Sequence, residues 1–131
     1  MSNPEQTAQR SSNPKDIVGL TKPAVNLVPP ASVIQTSRAM QNGADKYGAY
    51  NWRENDVLAT IYIGAALRHL YSWYDGEECA EDSGVPHLAH ASACIAILLD
   101  AQAGGNLIDD RPLRGTASEL ITDLTNSIPK D

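Results

Sequence analysis

The sequence predicts an all-α protein, a small helical bundle with an extended N-terminal arm. Three observations predict it. Apolar residues recur at helical spacing through two long central stretches and a shorter terminal one. No alternating apolar and polar run bounded by turn residues occurs, so no strand is expected. Between the two most apolar stretches lies one short acidic segment that also touches all three histidines of the chain.

A chain of 131 residues bounds the answer to one domain with a modest core. Its net charge of −6 argues against a general nucleic-acid binder. A small anionic ligand stays open, because bound cations and a few basic residues invert a local field. No run approaches a membrane span, and the N-terminus lacks the pattern of a signal peptide. The expected location is cytoplasmic, with Cys79 and Cys94 both reduced.

Residues 1–13 are polar and aperiodic and read as a mobile N-terminus, and 14–131 as a single domain. From Asn13 to Pro30, four prolines and a glycine argue for an extended arm. Lys15 and Lys22 on it are either phosphate ligands or solvated cations. Pro30 then opens a helix carrying Val33, Ser37, Met40, Ala44 and Tyr47, with Gly48 as its left-handed stop. The loop beyond it places Asn51, Trp52 and Arg53 close to Lys46. Cations suit phosphate, an aromatic face suits stacking, and an amide suits a base edge. The plainer reading is a core tryptophan beside two surface cations.

Asp56 is expected to cap the next helix. Leu58, Ile61, Tyr62, Ala65 and His69 lie on one stripe, and Ile63, Ala66, Leu67, Leu70 and Tyr74 on the neighbouring one. A helix so apolar is buried or shared with a partner chain. Arg68, if half-buried there, needs an anion beside it. His69 reads either as a satisfied core histidine or as a ligand. Gly76 ends the helix. Asp75 stands just before it, Glu77, Glu78, Glu81 and Asp82 follow, and Pro86 opens a third helix. His87 and His90, three apart, share a face that Cys94 continues, whereas Asp100 falls off that stripe. A further linker leads to a capping box of Thr116 and Glu119 and a short terminal helix.

Several nucleotide signatures are absent: a Walker loop, a Rossmann fingerprint, a His-Asp dipeptide and a Gly-x-Ser-x-Gly turn. What remains is carboxylates with imidazoles on facing helices. Such a set suits Mg²⁺ or Mn²⁺, imidazole favouring Mn²⁺. It points to metal-assisted hydrolysis of a nucleoside triphosphate. The competing reading is a non-catalytic helical protein that binds metal or nucleotide as a regulator.

Lys46-Tyr47-Gly48, Asn51-Trp52-Arg53, Arg68-His69-Leu70, Trp73, Gly76-Glu77, Ser83-Gly84 and His87-Leu88-Ala89-His90-Ala91 carry a resemblance. Together they resemble the phage dATP/dGTP diphosphohydrolases, which are MazG-like all-α nucleotide pyrophosphohydrolases of the MazZ type. The arm from Lys15 to Pro30 is similar to that family's opening. The resemblance implies hydrolysis of a purine (d)NTP, dGTP or GTP before dATP, to the monophosphate and pyrophosphate. It implies a role in an infected bacterial cell, in phage nucleotide metabolism and 2-aminoadenine DNA synthesis, and a homodimer or homotetramer.

On the site, the resemblance implies Glu77, Asp82 and Glu78 as catalytic carboxylates. Glu77, Asp82, His87 and His90 would hold Mg²⁺ or Mn²⁺, as two or more ions. Lys46, Arg53 and Arg68 would neutralise phosphate, with Lys15 and His69 also on the substrate, and Asn51 and Trp52 on base or sugar. The chain departs from the MazG pattern where His87-x-x-His90 and Arg68-His69 stand in place of paired acids, and where Ala80 replaces an acid common in the phage family.

Overall fold

The computed structural model describes residues 12–129. The expected mobile segment lies almost wholly outside these residues. In chain order they form α1 (Pro14–Gly19), a 3-10 turn (Val25–Leu27), α2 (Pro30–Tyr47), α3 (Asn51–Glu54), β1 (Val57–Leu58), α4 (Ala59–Tyr74), α5 (His87–Gly104), β2 (Leu107–Ile108) and α6 (Ala117–Ser127). The all-α bundle is as expected, with α5 packed along both α4 and α2.

The arm is not wholly extended. Pro14 sits at the first position of α1, where a missing N–H costs nothing, and Asn13 caps the helix by accepting from Lys15 N at 3.0 Å. The other prolines flank helical turns instead of interrupting them. α2 stops where expected, at Gly48, whose φ of 91° is one a side chain resists. The chain then enters α3, expected as loop, through Tyr50 in the left-handed region.

Asp56 does not cap α4. The residue at the cap is Leu58, which offers no side-chain acceptor, and the acceptor comes from far downstream. Asp110 takes hydrogen bonds from Thr60 N at 2.8 Å and Thr60 Oγ1 at 2.5 Å. That contact is aligned by a two-residue parallel pairing of β1 with β2, Val57 opposite Leu107. The pairing is too short to leave an alternating pattern, which is why no strand was expected. Thr116 does occupy the cap of α6, but it makes no side-chain cap bond, and Glu119 pairs with Arg114.

Small residues let the helices approach closely. Ala39 of α2 meets Ala89 and Ala93 of α5 and Val85 of the preceding loop, with Met40 packed alongside. Thr36 and Ser92 link α2 to α5 through their hydroxyls at 2.8 Å. Val57 is the one large side chain buried completely among the described residues. The bulky residues of α4 and α5 are not in this core: Ile61, Tyr71 and Leu99 are each more than 60% exposed on the single chain. None of the helices of the described residues is long and apolar enough to cross a membrane.

Candidate active site

α2, α4 and α5 enclose a cleft of about 280 Å³, closed at one end by the acidic loop. Lys46, Asn51, Trp52, His69, Asp82 and His90 all line it. Six residues expected at the site from sequence thus stand around one space. Tyr62 and Cys94 line its apolar part, and burial pushes both their hydroxyl and thiol pKa values upward. Both cysteines are free thiols.

Lys46, at the last turn of α2, reaches across to the acidic loop, its Nζ 3.7 Å from Asp82 Oδ2. Trp52 lines the cleft while its indole N–H donates to Asp100 Oδ2 at 2.7 Å. Arg53 grips the same carboxylate with two hydrogen bonds of 2.9 Å, outside the cleft. Arg53 first, then Trp52, hold the Asp100 pKa down at about 2. Asp100, off the histidine stripe, therefore serves as the anchor of the Trp52 wall. Asn106 adds to it, donating to the backbone carbonyls of Trp52 and of Asn55.

The acidic loop is a small folded unit. Ala80 N donates to Val85 O at 2.9 Å, Gly84 N to Ala80 O at 2.8 Å, and an isolated antiparallel bridge joins Cys79 to Pro86. Gly84, with φ 71°, makes the turn inside it. Ala80 is buried, which explains the small residue at this position: a carboxylate there would lose its water. Glu78 is exposed, and its carbonyl accepts from His87 N at 2.9 Å.

The three histidines meet where α4 faces the start of α5. His87 is buried, and both its ring nitrogens are engaged, Nε2 with Glu77 Oε1 at 2.5 Å and Nδ1 with His69 Nδ1 at 2.8 Å. His69 stacks on His90, ring centroids 4.6 Å apart, and His90 Nε2 meets Ser83 Oγ at 2.8 Å. The pKa values of His69 and His90 are both lowered, chiefly by burial; neighbouring imidazoles add to it and Asp82 opposes it. Ser83 was visible only as part of a family motif, and its bond to His90 depends on the fold of the loop.

Of the metal donors expected from sequence, Glu77 and His87 meet, but the four do not gather at one point. Glu77 is turned to His87, Asp82 to Lys46 and His90 to Ser83. Among the described residues no group of three or more His, Cys, Asp or Glu side chains stands close enough to hold an ion. Arg68 is exposed on α4, so the anion a half-buried arginine would need is not required. Lys15, on α1, does not line the cleft, nor do Arg53, Arg68, Glu77 and Glu78.

The model of the dATP/dGTP diphosphohydrolase N-terminal family matches residues 12–111. The chain belongs to the dATP/dGTP diphosphohydrolase family. It is therefore an enzyme of the nucleoside triphosphate pyrophosphohydrolase class. No curated protein and no solved structure matches it. The matched span runs from the cap of α1 past Asp110, so this diphosphohydrolase keeps its whole cleft, and the device that caps α4, within the family region.

Proposed function

We propose that this chain hydrolyses a purine (d)NTP, dGTP or GTP before dATP, to the monophosphate and pyrophosphate. The observation that carries the reading is the convergence of Lys46, Asn51, Trp52 and two imidazoles on one cleft. An aromatic wall and an amide suit a base, and a mobile ammonium at the mouth suits phosphate. A cleft of about 280 Å³ is near the lower limit for ligand pockets and takes a base or sugar more readily than a whole nucleotide. The triphosphate would then lie along the exposed edge at Lys46.

Mg²⁺ or Mn²⁺ belongs to the same proposal. Mg²⁺ characteristically binds one or two carboxylates together with substrate phosphates, so the ion would enter with the nucleotide. The reading includes assembly into a dimer or tetramer through the bare apolar faces of α4 and α5. It also includes a place in the cytoplasm of a phage-infected cell, where dGMP would feed 2-aminoadenine DNA synthesis. The deciding assay incubates the protein with each of the eight common NTPs and dNTPs, with and without Mn²⁺, and resolves the products. Pyrophosphate and monophosphate from dGTP are expected. Orthophosphate in place of pyrophosphate, in a preparation free of pyrophosphatase, would overturn the cleavage point, and no turnover of any nucleotide would overturn the reading.

A further inference from the structure

α2 carries a glycine inside its last turns, and nothing in the fold of the single chain asks for it. Gly43 has ordinary helical backbone, since the positive φ angles among the described residues fall elsewhere. Glycine is the poorest helix former after proline, so it weakens a helix interior unless something compensates. Close packing is the usual compensation, and here there is none: a Cβ at Gly43 would meet no atom within 4 Å. The space it leaves belongs to the cleft, which Gly43 lines.

Asn42 lines the cleft too, one turn before Lys46 on α2, and Tyr62 lines it from α4. Both are half-buried, and neither side chain makes a hydrogen bond among the described residues. No buried nitrogen or oxygen in those residues lacks a partner, so the Asn42 amide and the Tyr62 hydroxyl are both reached from open space. Unpaired polar groups in a half-buried wall contribute nothing to folding. An amide and a hydroxyl each donate and accept. Met40, Ala93 and Ile97 add apolar surface to the same cleft.

We propose that Asn42, Gly43 and Tyr62 are specificity-determining residues that form the base subsite: Gly43 leaves room for a purine ring against the α2 backbone, and Asn42 and Tyr62 read its edge. The inference rests on the functional reading of the cleft given above, and it adds to the Trp52 wall the groups that tell one base from another. An amide presents a donor and an acceptor side by side, and turning it over exchanges them. It meets N6–H and N1 of adenine in one orientation, and O6 and N1–H of guanine in the other. A site read by Asn42 is therefore open to both purines. A carboxylate in its place would only accept, and so would favour guanine. Lys46, one turn further along α2, then stands on the phosphate side of the base.

The first test uses Gly43→Ala in the full chain. The variant should melt no lower than the native protein, because alanine is the better helix former. Its mass in light scattering should be unchanged, and its KM for dGTP should rise on the order of tenfold. An unchanged KM overturns the proposal. So does a lower melting temperature or a changed mass, since the glycine would then serve packing within the chain or against a second copy.

The second test reads discrimination, with dGTP and dATP competing in one mixture. Asn42→Asp should raise the ratio of kcat/KM for dGTP to that for dATP by about tenfold, because the carboxylate accepts from N1–H and the 2-amino group of guanine and opposes the bare N1 of adenine. Its added negative charge acts on both triphosphates alike and cancels in the ratio. Tyr62→Phe, which deletes one oxygen and keeps the ring, should raise KM several-fold and leave kcat nearly unchanged. A ratio unmoved by Asn42→Asp, in an enzyme that does turn over dGTP, overturns the subsite and leaves the functional reading intact. A native protein that hydrolyses no purine triphosphate brings down that reading and the subsite together.

Discussion

Trp52 and Asp100 are joined by an indole N–H donated to a carboxylate at 2.7 Å, across the junction of α3 and α5. Arg53 donates to both oxygens of that carboxylate, so a single acid on an apolar helix fixes the orientation of a cleft wall. Asp100→Ala should therefore impair the enzyme without touching the cleft directly. A misplaced binding group costs on the order of 100-fold, and a loss of kcat/KM approaching that is expected with an unchanged circular dichroism spectrum.

The same carboxylate has a pH signature. Its folded pKa of about 2 lies below the ordinary 3.8, so its contribution to stability is complete above the ordinary value and is lost as pH falls through the folded one. The difference in unfolding midpoint between the native chain and Asp100→Asn should be constant from neutral pH down to mild acid and close as pH approaches about 2. Urea titrations across that range measure it.

Lys46 and Asp82 face each other across the mouth at 3.7 Å, both largely exposed. The pair itself adds little stability in water. In the proposed reading its ammonium would exchange Asp82 for the triphosphate. Lys46→Ala should raise KM for dGTP several-fold to about tenfold and leave kcat nearly intact, the pattern of lost uniform binding. The native KM should rise with salt, and that of the variant much less.

His69 and His90 both hold their pKa below the ordinary 6.5. Above that value they are neutral whether the chain is folded or not. Below it the unfolded chain takes up protons that the folded chain refuses, so stability falls as pH drops from 6.5 through the depressed folded values. Unfolding midpoints should decline over that window. Replacing His90 by Gln should flatten the decline, and an unflattened curve would place the titrating group elsewhere.

Because no three of Glu77, Asp82, His87 and His90 stand together, the resting protein should bind Mn²⁺ weakly. Equilibrium dialysis should show tight binding only when a non-hydrolysable dGTP analogue is present. Tight Mn²⁺ binding without nucleotide would show that these side chains rearrange into a cage of their own.

How much of this could be read beforehand follows from the range of each contact. α2, α4 and α5 were legible because their apolar stripes repeat at helical period, and the end of α2 because Gly48 alone tolerates the required φ. His87 and His90 were legible as a pair for the same reason. His69 was expected at the site, but its contacts with His87 and His90 were not legible, since they depend on the register of α4 against α5. Asp110 capping α4 from 50 residues downstream was equally invisible, because Asp56 stands at the local position a cap would take. The arm failed differently: its prolines were weighed as helix breakers, whereas Pro14 stands where a proline starts one.

The pairing of Val57 with Leu107, secured by Asp110 on Thr60, also sets an order of events for a chain emerging from the ribosome. α4 and α5 can meet as a local hairpin soon after both are synthesised, but the start of α4 lacks its acceptor until Asp110 has left the exit tunnel. Closing that long loop carries an entropic cost that only the finished segment offsets. A chain that has left the tunnel only as far as the end of α5 should therefore display the hairpin, with Trp52 already held on Asp100 and the first turn of α4 frayed. Any truncation upstream of Asp110 would preserve that unfinished state, so the shortest fragment with α4 fastened at its start is fixed by a residue that never touches the cleft.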